Sequence, residues 1–187
     1  MNLPKNKTLV IFDFDETLCK TNGLIRREKR IEKDAFTIDF MTAGEYSNWR
    51  ETGEYDLNPT IWDLNFDEFT GYPKKGIVIN KTFNILKKYV SSKNHVVSIV
   101  TGRDELAGPK KFLLDNNIDT NKMIFLCSGD PNKKPCYESL INTLEPSSII
   151  IYEDAMPYIN QCKEVAIKYK IGFSSFLIEQ DKVIALK

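Results

Sequence analysis

Two carboxylates follow directly after a short apolar segment near the start of this chain of 187 residues. The apolar segment covers residues 9–12, and Asp13 and Asp15 come next with Phe14 between them. Four consecutive apolar residues that end at an abrupt change in polarity are typical of a strand buried on both faces of a parallel sheet. Side chains alternate along a strand, so we expect Asp13 and Asp15 on one side of its end and Phe14 on the other.

This spacing of Asp13 and Asp15 favours a chemical function for the pair. Like charges held close together disfavour each other's ionisation, so the pKa of one carboxyl is raised. One acid can then remain ionised and act as a nucleophile while the other keeps a proton to donate. The alternative is a polar junction between a strand and a loop, and companion groups elsewhere in the chain decide between the two.

A hydroxyl and a glycine follow the next predicted strand, residues 96–100, which ends in Thr101, Gly102 and Arg103. At the carboxyl edge of a parallel sheet they would place a hydroxyl and exposed backbone N–H groups near Asp13, and phosphoryl oxygens need such donors. An ordinary turn at a strand end is the alternative for Thr-Gly alone. Arg103 either contacts the substrate or pairs with its neighbours Asp104 or Glu105.

A further acidic pair, Glu153 and Asp154, comes after the predicted strand at residues 149–151. At the same sheet edge these carboxylates would face Asp13 and Asp15, and so many acids together require a cation. Mg²⁺ prefers a few carboxylates together with water and phosphate oxygens. The sequence therefore predicts a magnesium site, with Glu153 contacting the ion either directly or through a water. The candidate metal ligands are Asp13, Asp15, Glu153 and Asp154.

Two lysines, Lys133 and Lys134, precede Pro135 at the start of a predicted helix that carries Tyr137 and Leu140. A lysine at this point can neutralise the charge of a phosphate and of a nucleophile. Without this context, adjacent lysines are usually solvent-exposed.

In order along the chain, these segments resemble the four motifs of the haloacid dehalogenase (HAD) superfamily, with Asp-x-Asp-x-Thr as the first. The resemblance covers residues 9–18 and 96–154. It implies an α/β, Rossmann-like three-layer fold with a central parallel sheet, and phosphoryl transfer through an aspartyl-phosphate. Asp13 would be the nucleophile and Asp15 the general acid and base. Asp154 would complete the Mg²⁺ shell together with the main-chain carbonyl of Asp15.

The resemblance also implies roles for the remaining motif residues. Thr101 would bind the transferring phosphoryl group, and Lys134 is assigned to the third motif because Lys-Pro often opens a helix there, with Lys133 as the alternative. Many members carry a further acid four or five residues after the fourth motif, where this chain has Tyr158 and Ile159. The expected substrate-binding residues are Thr17, Gly102, Arg103 and Lys133.

The alternation of strands and helices after residue 77 predicts a core domain of residues 1–19 and 77–187. Residues 20–76 interrupt this pattern, contain both tryptophans and are too long for a bare loop. We predict a small cap between the first and second motifs, part helical around residues 28–40 and packed over the mouth of the sheet. Its basic run could approach a nucleotide or form a solvated helix face: Arg26, Arg27, Lys29 and Arg30.

The composition limits the classes of partner. Twenty-six basic and 26 acidic residues give zero formal net charge, which argues against a broad basic surface and suits substrates with one phosphate. One histidine and four scattered cysteines do not form a zinc site. Buried reduced cysteines, and the lack of a signal-like or membrane-spanning segment, predict a soluble cytoplasmic protein that does not bind membranes. The oligomeric state stays open, including a homo-oligomer through cap aromatics.

The predicted function is a Mg²⁺-dependent phosphatase that acts on a nucleotide or a nucleic-acid end. The segment 62–66 and the Val-Thr-Gly-Arg and Tyr-Glu-Asp runs resemble small phage HAD hydrolases, some related to polynucleotide 3′-phosphatase domains. A phosphatase of small metabolites, such as sugar phosphates, is one alternative. Because of Glu16, a protein phosphatase of the Asp-x-Asp-Glu-Thr type is another alternative. A catalytically silent binding module is the third, although none of Asp13, Asp15, Lys134 and Asp154 is missing.

Overall fold

The structure, a computed structural model, describes residues 7–33, 35–73, 75–129, 131–179 and 181–186, with only the backbone at Glu51. Strands and helices alternate along most of the chain. The strands are β1 Thr8–Phe12, β2 Cys19–Lys20, β3 Ile25–Glu32, β4 Ala35–Met41, β5 Trp62–Asn65, β6 Ile77–Val78, β7 His95–Thr101, β8 Met123–Cys127, β9 Ser148–Glu153, β10 Gly172–Glu179 and β11 Lys182–Leu186. The helices are α1 Ala43–Glu51, α2 Glu54–Leu57, α3 Asn80–Val90, α4 Ala107–Asp115, α5 Lys134–Leu144 and α6 Met156–Tyr169.

A six-stranded sheet forms the centre of the molecule, in the order β11-β10-β9-β1-β7-β8. β10, β9, β1, β7 and β8 are parallel, and β11 pairs antiparallel with β10 in a terminal hairpin. The α/β class and the parallel sheet predicted from the sequence are therefore confirmed. The buried apolar segment 9–12 lies in the middle of this sheet, as a strand covered on both faces requires.

Helices cover both faces of the sheet because successive side chains of each strand point to opposite sides. On one face, Val10 and Phe12 pack in a core with Phe83 of α3 and Phe112 of α4. On the other face, Leu9 and Ile11 of β1 pack with apolar side chains of α5 and α6. Phe14 is fully buried in the first core and meets Phe112 edge to face, so it points into the protein interior as expected.

The order of the strands determines where a ligand can bind. From β1 the chain proceeds to β7 and β8 on one side of the sheet, and it returns to β9 and β10 on the other. In open parallel sheets, ligands bind beyond the carboxyl ends of the strands where this direction changes. Here that point lies between β1 and β9, the strands that lead into Asp13 and Asp154.

A second, three-stranded antiparallel sheet, in the order β4-β3-β5, lies within the predicted cap. The expectation of helix around residues 28–40 is wrong, because β3 and β4 form a hairpin over this stretch. Successive residues of β4 alternate between apolar and polar, which fits a period of two better than a helical period. The apolar set Phe36, Ile38 and Phe40 is exposed on one face of β4, which is an edge strand.

The cap has its own apolar core, in which Ile25, Met41, Tyr46, Trp49 and Phe69 are buried. Helix α1 begins at a capping box, in which the hydroxyl of Thr42 accepts from the N–H of Glu45 and the Glu45 carboxylate accepts from the N–H of Thr42. Trp49 contacts the rings of Tyr55 and Trp62 edge to face. The aromatic residues noted in the sequence thus hold this small sheet against α1.

Across the described residues, none of the helices combines the length and the apolar character needed to cross a membrane.

Candidate active site

The chain turns sharply at the end of β1 and so brings Asp13 and Asp15 to the sheet edge. The N–H of Asp13 still donates to the carbonyl of Tyr152 in β9 (3.0 Å), which fixes its position beside the fourth motif. Glu16 adopts a left-handed conformation with φ of 56°, and its N–H donates to the carbonyl of Cys19. Asp13 and Asp15 are both buried, with exposed fractions of 5% and 8%.

Lys133 is the basic partner of the nucleophile candidate. Its Nζ donates to Asp13 Oδ1 (2.7 Å) and to Glu153 Oε2 (2.9 Å), and its side chain is 1% exposed. Although burial acts to lower it, the carboxylates of Asp13 and Glu153 raise the pKa of Lys133 well above its ordinary value. The two acids therefore favour the charged form of Lys133.

Lys134, assigned to this position from the sequence, lies elsewhere. Its Nζ pairs with Glu164 of α6, and both side chains are substantially exposed. Lys133 comes immediately before α5 and Lys134 is the first residue of that helix, so their side chains leave the chain in different directions. The assignment of Lys134 to the site is corrected to Lys133.

Three carboxylates form a compact cluster at the carboxyl ends of β1 and β9. One oxygen from each of Asp13, Glu153 and Asp154 lies within 4.8 Å of the others. Burial, with the nearby Glu153 charge, raises the pKa of Asp13 to about 8. Burial likewise raises the pKa of Glu153 to about 8, and burial with the Asp13 charge raises that of Asp154 to about 7. These three carboxyl groups are therefore too crowded and too deeply buried for Lys133 alone to favour their charged forms.

The donor set of this cluster fits a magnesium ion. All three groups offer oxygen atoms, the ligands that Mg²⁺ prefers. Glu153 Oε1 is buried and has no hydrogen-bond partner among the described residues, so this oxygen is available to an ion or its water. Asp15 does not join the cluster through its carboxylate, because both of its oxygens are engaged elsewhere. The side chains that fit the ion are Asp13, Glu153 and Asp154.

Replacing Asp154 by asparagine should separate metal binding from folding. At pH 8 in EDTA we expect Asp154→Asn to be at least as stable as the wild type, because one of three crowded charges is removed. Addition of Mg²⁺ should stabilise the wild type by about 1–3 kcal/mol and the variant by far less, since only the native state binds the ion. Thermal unfolding with and without Mg²⁺ measures both effects, and an equal Mg²⁺ shift in the two proteins would contradict the assignment.

Asp15 is held by Arg103, which follows Thr101 at the end of β7. Arg103 Nε donates to Asp15 Oδ2 and Nη2 donates to Oδ1, both at 2.8 Å. This planar two-point contact is the geometry in which arginine holds a carboxylate most firmly. Of the two sequence alternatives for Arg103, pairing with Asp104 or Glu105 is wrong, whereas contact with substrate stays a prediction, and Arg103 does line the cavity described below. Its partner is the acid and base candidate itself.

Arg103 also joins the edge of the sheet that carries Asp13 and Asp15 to the cap. Its Nη1 donates to the carbonyls of Phe69 (2.7 Å) and Gly71 (2.9 Å), in the segment that leads from the cap back to the core. The same Gly71 carbonyl lies so close to Gly108 of α4 that a Cβ at Gly108 would collide with it. One buried guanidinium therefore fixes both the direction of Asp15 and the position of this segment.

Removal of the Arg103 guanidinium should be costly. In Arg103→Met the Asp15 carboxylate and two backbone carbonyls lose their donor, and loss of one member of a buried ion pair destabilises by about 3–5 kcal/mol. We expect a fall of this size in the free energy of unfolding, measured by urea denaturation. Arg103→Met combined with Asp15→Asn should recover much of it, because no buried charge is then left unpaired. A single variant as stable as the wild type would contradict this role.

The remaining predicted site residues fall into two groups. Thr101 and Gly102 line the cavity described below, as a phosphate-binding role requires. Thr17 is fully buried, and its hydroxyl donates to Asp154 Oδ1 (3.4 Å) and so orients a carboxylate. The expectation that Thr17 contacts the substrate is wrong, because this residue is fully buried and does not line the cavity. Glu16 accepts from the N–H and hydroxyl of Thr21, which gives it a local role in the turn.

Tyr158 is a site residue that the sequence reasoning did not assign. Many HAD members carry a further acid at this position, but here the centroid of the Tyr158 ring lies 4.0 Å from Lys133 Nζ. The Tyr158 hydroxyl accepts from Ser47 of the cap helix (3.1 Å). An aromatic ring that faces a buried ammonium stabilises the cation. The signal in the sequence was the tyrosine at the expected place of the acid, in the first turn of α6.

A cavity of about 500 Å³ lies between this edge of the sheet and the cap. Its floor contains Asp13, Thr101 and Lys133, and the cap supplies aromatic walls. This volume is within the range of about 300–1,000 Å³ typical of small-molecule sites. The aromatic lining residues are Tyr46, Tyr55, Trp62, Phe66, Phe69 and Tyr158.

Comparison of the chain with protein-family models and with curated proteins finds no match.

Proposed function

We propose that this protein is a Mg²⁺-dependent phosphatase of the HAD type, which hydrolyses phosphomonoesters of nucleotides or nucleic-acid ends through a phosphorylated Asp13. The observation that carries the proposal is the position of Asp13. It lies at the floor of a cavity, beside Lys133 and within a cluster of carboxylates suited to a divalent cation. A carboxylate in this setting is a nucleophile with positive charge placed for an incoming phosphate.

In the first step an Asp13 oxygen attacks phosphorus, the bond from Asp13 to phosphorus forms, and the bond to the leaving oxygen breaks. Lys133 and the backbone N–H groups after Thr101 stabilise the negative charge on the phosphoryl oxygens. A bound Mg²⁺, held by Asp13, Glu153 and Asp154, would add positive charge at the same place. Water then cleaves the bond between phosphorus and Asp13, which restores the carboxylate.

Asp15 is the proton donor to the leaving oxygen and the base that activates water. Among the described residues, the two side-chain oxygens of Asp15 accept hydrogen bonds only from Arg103. To act as a proton donor, Asp15 must first be protonated, and the oxygen that takes up the proton gives up its hydrogen bond from Arg103. Arg103 therefore keeps Asp15 in place between turnovers, and its partial release accompanies each proton transfer.

The test is release of inorganic phosphate by the purified protein. A panel of mononucleotides, 3′-phosphorylated oligonucleotides, sugar phosphates and phosphopeptides is assayed with Mg²⁺ and with EDTA. We expect turnover of at least one substrate with Mg²⁺ and none with EDTA. A wild-type protein that releases no phosphate from any substrate would support the non-catalytic alternative instead.

A further inference from the structure

Acidic side chains outnumber basic ones around the cavity. The basic lining residues among those described are Arg50, Arg103 and Lys133, and the acidic ones are Asp13, Asp15, Asp63, Asp104, Glu105, Glu153 and Asp154. A divalent cation at the floor balances part of this charge. Asp63 and Asp104 line the cavity, are exposed and do not belong to the carboxylate cluster. We call these two residues the rim of the cavity, because a cation at the floor does not bind them.

Each of the three cations already has an acidic partner. Arg103 binds Asp15, and Lys133 binds Asp13 and Glu153. Arg50 pairs with Asp56 (3.2 Å), and its guanidinium lies 4.3 Å from the Tyr55 ring. These contacts leave the rim, over its described residues, with a net negative charge that faces an approaching ligand.

The basic run of the cap does not alter this balance. Arg27 pairs with Asp39 and lies over the rings of Trp49 and Trp62, and Lys29 pairs with Glu54. On the opposite face of β3, Arg26 pairs with Glu28, and Arg30 lies over the Phe36 ring. The cavity lining does not include Arg26, Arg27, Lys29 or Arg30.

The walls of the cavity suit a planar apolar group. Tyr46 and Phe66 meet edge to face, and with Trp62 and Leu64 they form one side of the cavity. Stacking of a base on aromatic side chains is favourable for every base because each has a π-face.

We propose that the cavity selects phosphomonoesters with a single phosphate and an uncharged aromatic leaving group, of the class of nucleoside monophosphates, and disfavours nucleic-acid ends. This inference rests on the proposed phosphatase function and narrows its substrate class. A nucleic acid carries further phosphates close to the reacting one, and the acidic rim repels them. A ligand with a single phosphate has no further phosphates for the rim to repel, and its one phosphate is held by the cations at the floor of the cavity.

The experiment compares kcat/KM for adenosine 5′-monophosphate, glycerol phosphate and a short 3′-phosphorylated oligonucleotide, each at low and at physiological salt. We expect about a tenfold or larger preference for the mononucleotide over both others. The rate for the oligonucleotide should rise with salt, because salt screens repulsion over about 8–10 Å. Equal or faster turnover of the oligonucleotide, with a rate that falls with salt, would overturn the inference. A kcat/KM for glycerol phosphate equal to that for the mononucleotide would overturn the inferred preference for an aromatic group.

A pair of double variants tests whether the rim is the cause. Asp63→Asn with Asp104→Asn removes two rim charges, and Asp119→Asn with Asp181→Asn removes two charges at positions outside the cavity lining. We expect the rim variant to raise kcat/KM for the oligonucleotide by up to about tenfold, and by a larger factor than for the mononucleotide, which carries fewer charges. The control variant should change neither. Equal gains in both variants would assign the effect to net charge and overturn the role of the rim.

Calorimetric titration separates a failure of this inference from a failure of the proposed function. Asp13→Asn protein with Mg²⁺ is titrated with each ligand, so that selectivity is measured without turnover. A wild type that hydrolyses nothing would contradict the phosphatase function, while tighter binding of the mononucleotide would still support the selectivity. Tighter binding of the oligonucleotide would overturn the inference whether or not the enzyme is active.

Discussion

Asp13→Asn should lower kcat for phosphate release by about 10⁴-fold or more, because removal of a catalytic nucleophile leaves only the contribution of binding and charge stabilisation. Asparagine has nearly the same size and still accepts a hydrogen bond from Lys133. It cannot form the acyl phosphate on which the proposed reaction depends. The measurement is steady-state phosphate release at saturating substrate and Mg²⁺.

Two controls make the Asp13 result specific. Acid quenching of the wild type with a ³²P-labelled substrate should trap phosphate on the protein, and the variant should trap none. Asp181→Asn, the same substitution on the terminal hairpin, should leave kcat within about twofold, as surface changes usually do. An Asp13→Asn protein that folds and retains activity within tenfold of the wild type would exclude Asp13 as the nucleophile.

Lys133→Met should lower kcat/KM by about 10³-fold, a loss typical of removing one donor that stabilises charge in a transition state. Lys133 is in direct contact with the proposed nucleophile, with its Nζ 2.7 Å from Asp13 Oδ1. The same substitution at Lys134 should change the rate by less than about twofold, because its exposed pair with Glu164 contributes little. The adjacent lysines thus form a matched pair for one assay.

Folding of the Lys133 variant must be measured with its activity. In Lys133→Met the carboxylates of Asp13 and Glu153 face each other without the ammonium, and one of them can take up a proton. Near-ultraviolet circular dichroism and urea denaturation show whether the native packing is kept. Similar losses at Lys133 and Lys134 in folded proteins would contradict the assignment of Lys133.

The meeting of the candidate site residues at one sheet edge was predictable because it depends on the direction of the strands. Asp13, Thr101 and Glu153 each lie at or just beyond the carboxyl end of a buried apolar segment. In a parallel sheet those ends meet at one edge whatever the details of the connecting loops. The order of segments along the chain was therefore sufficient to bring these side chains together.

The partners of individual side chains were not predictable in this way. The contact between Arg103 and Asp15 joins residues 88 positions apart and depends on how the loop after β7 folds beneath the cap. The choice between Lys133 and Lys134 depends on which residue precedes the first turn of α5. Both are determined by the direction of a side chain in three dimensions, and neither leaves a periodic pattern in the sequence.

The cap was predicted as an insertion but with the wrong local structure. Basic and acidic residues are interleaved from Arg26 to Glu32 in a way that also suits a helix with paired charges on its surface. In the structure these charges satisfy partners across strands, such as Arg27 with Asp39 of β4. Pairing between strands decided the conformation, and tertiary contacts of this kind commonly override local propensity.

The parallel order of β9, β1 and β7 also has a consequence for folding. Asp13, Arg103, Lys133 and Asp154 come from distant parts of the chain, and they meet only when these strands have paired. Pairing of parallel strands requires closure of long loops and is slow compared with formation of helices. During refolding, the circular dichroism signal of the helices should therefore recover before Mg²⁺ binding, which reports the completed centre of the sheet.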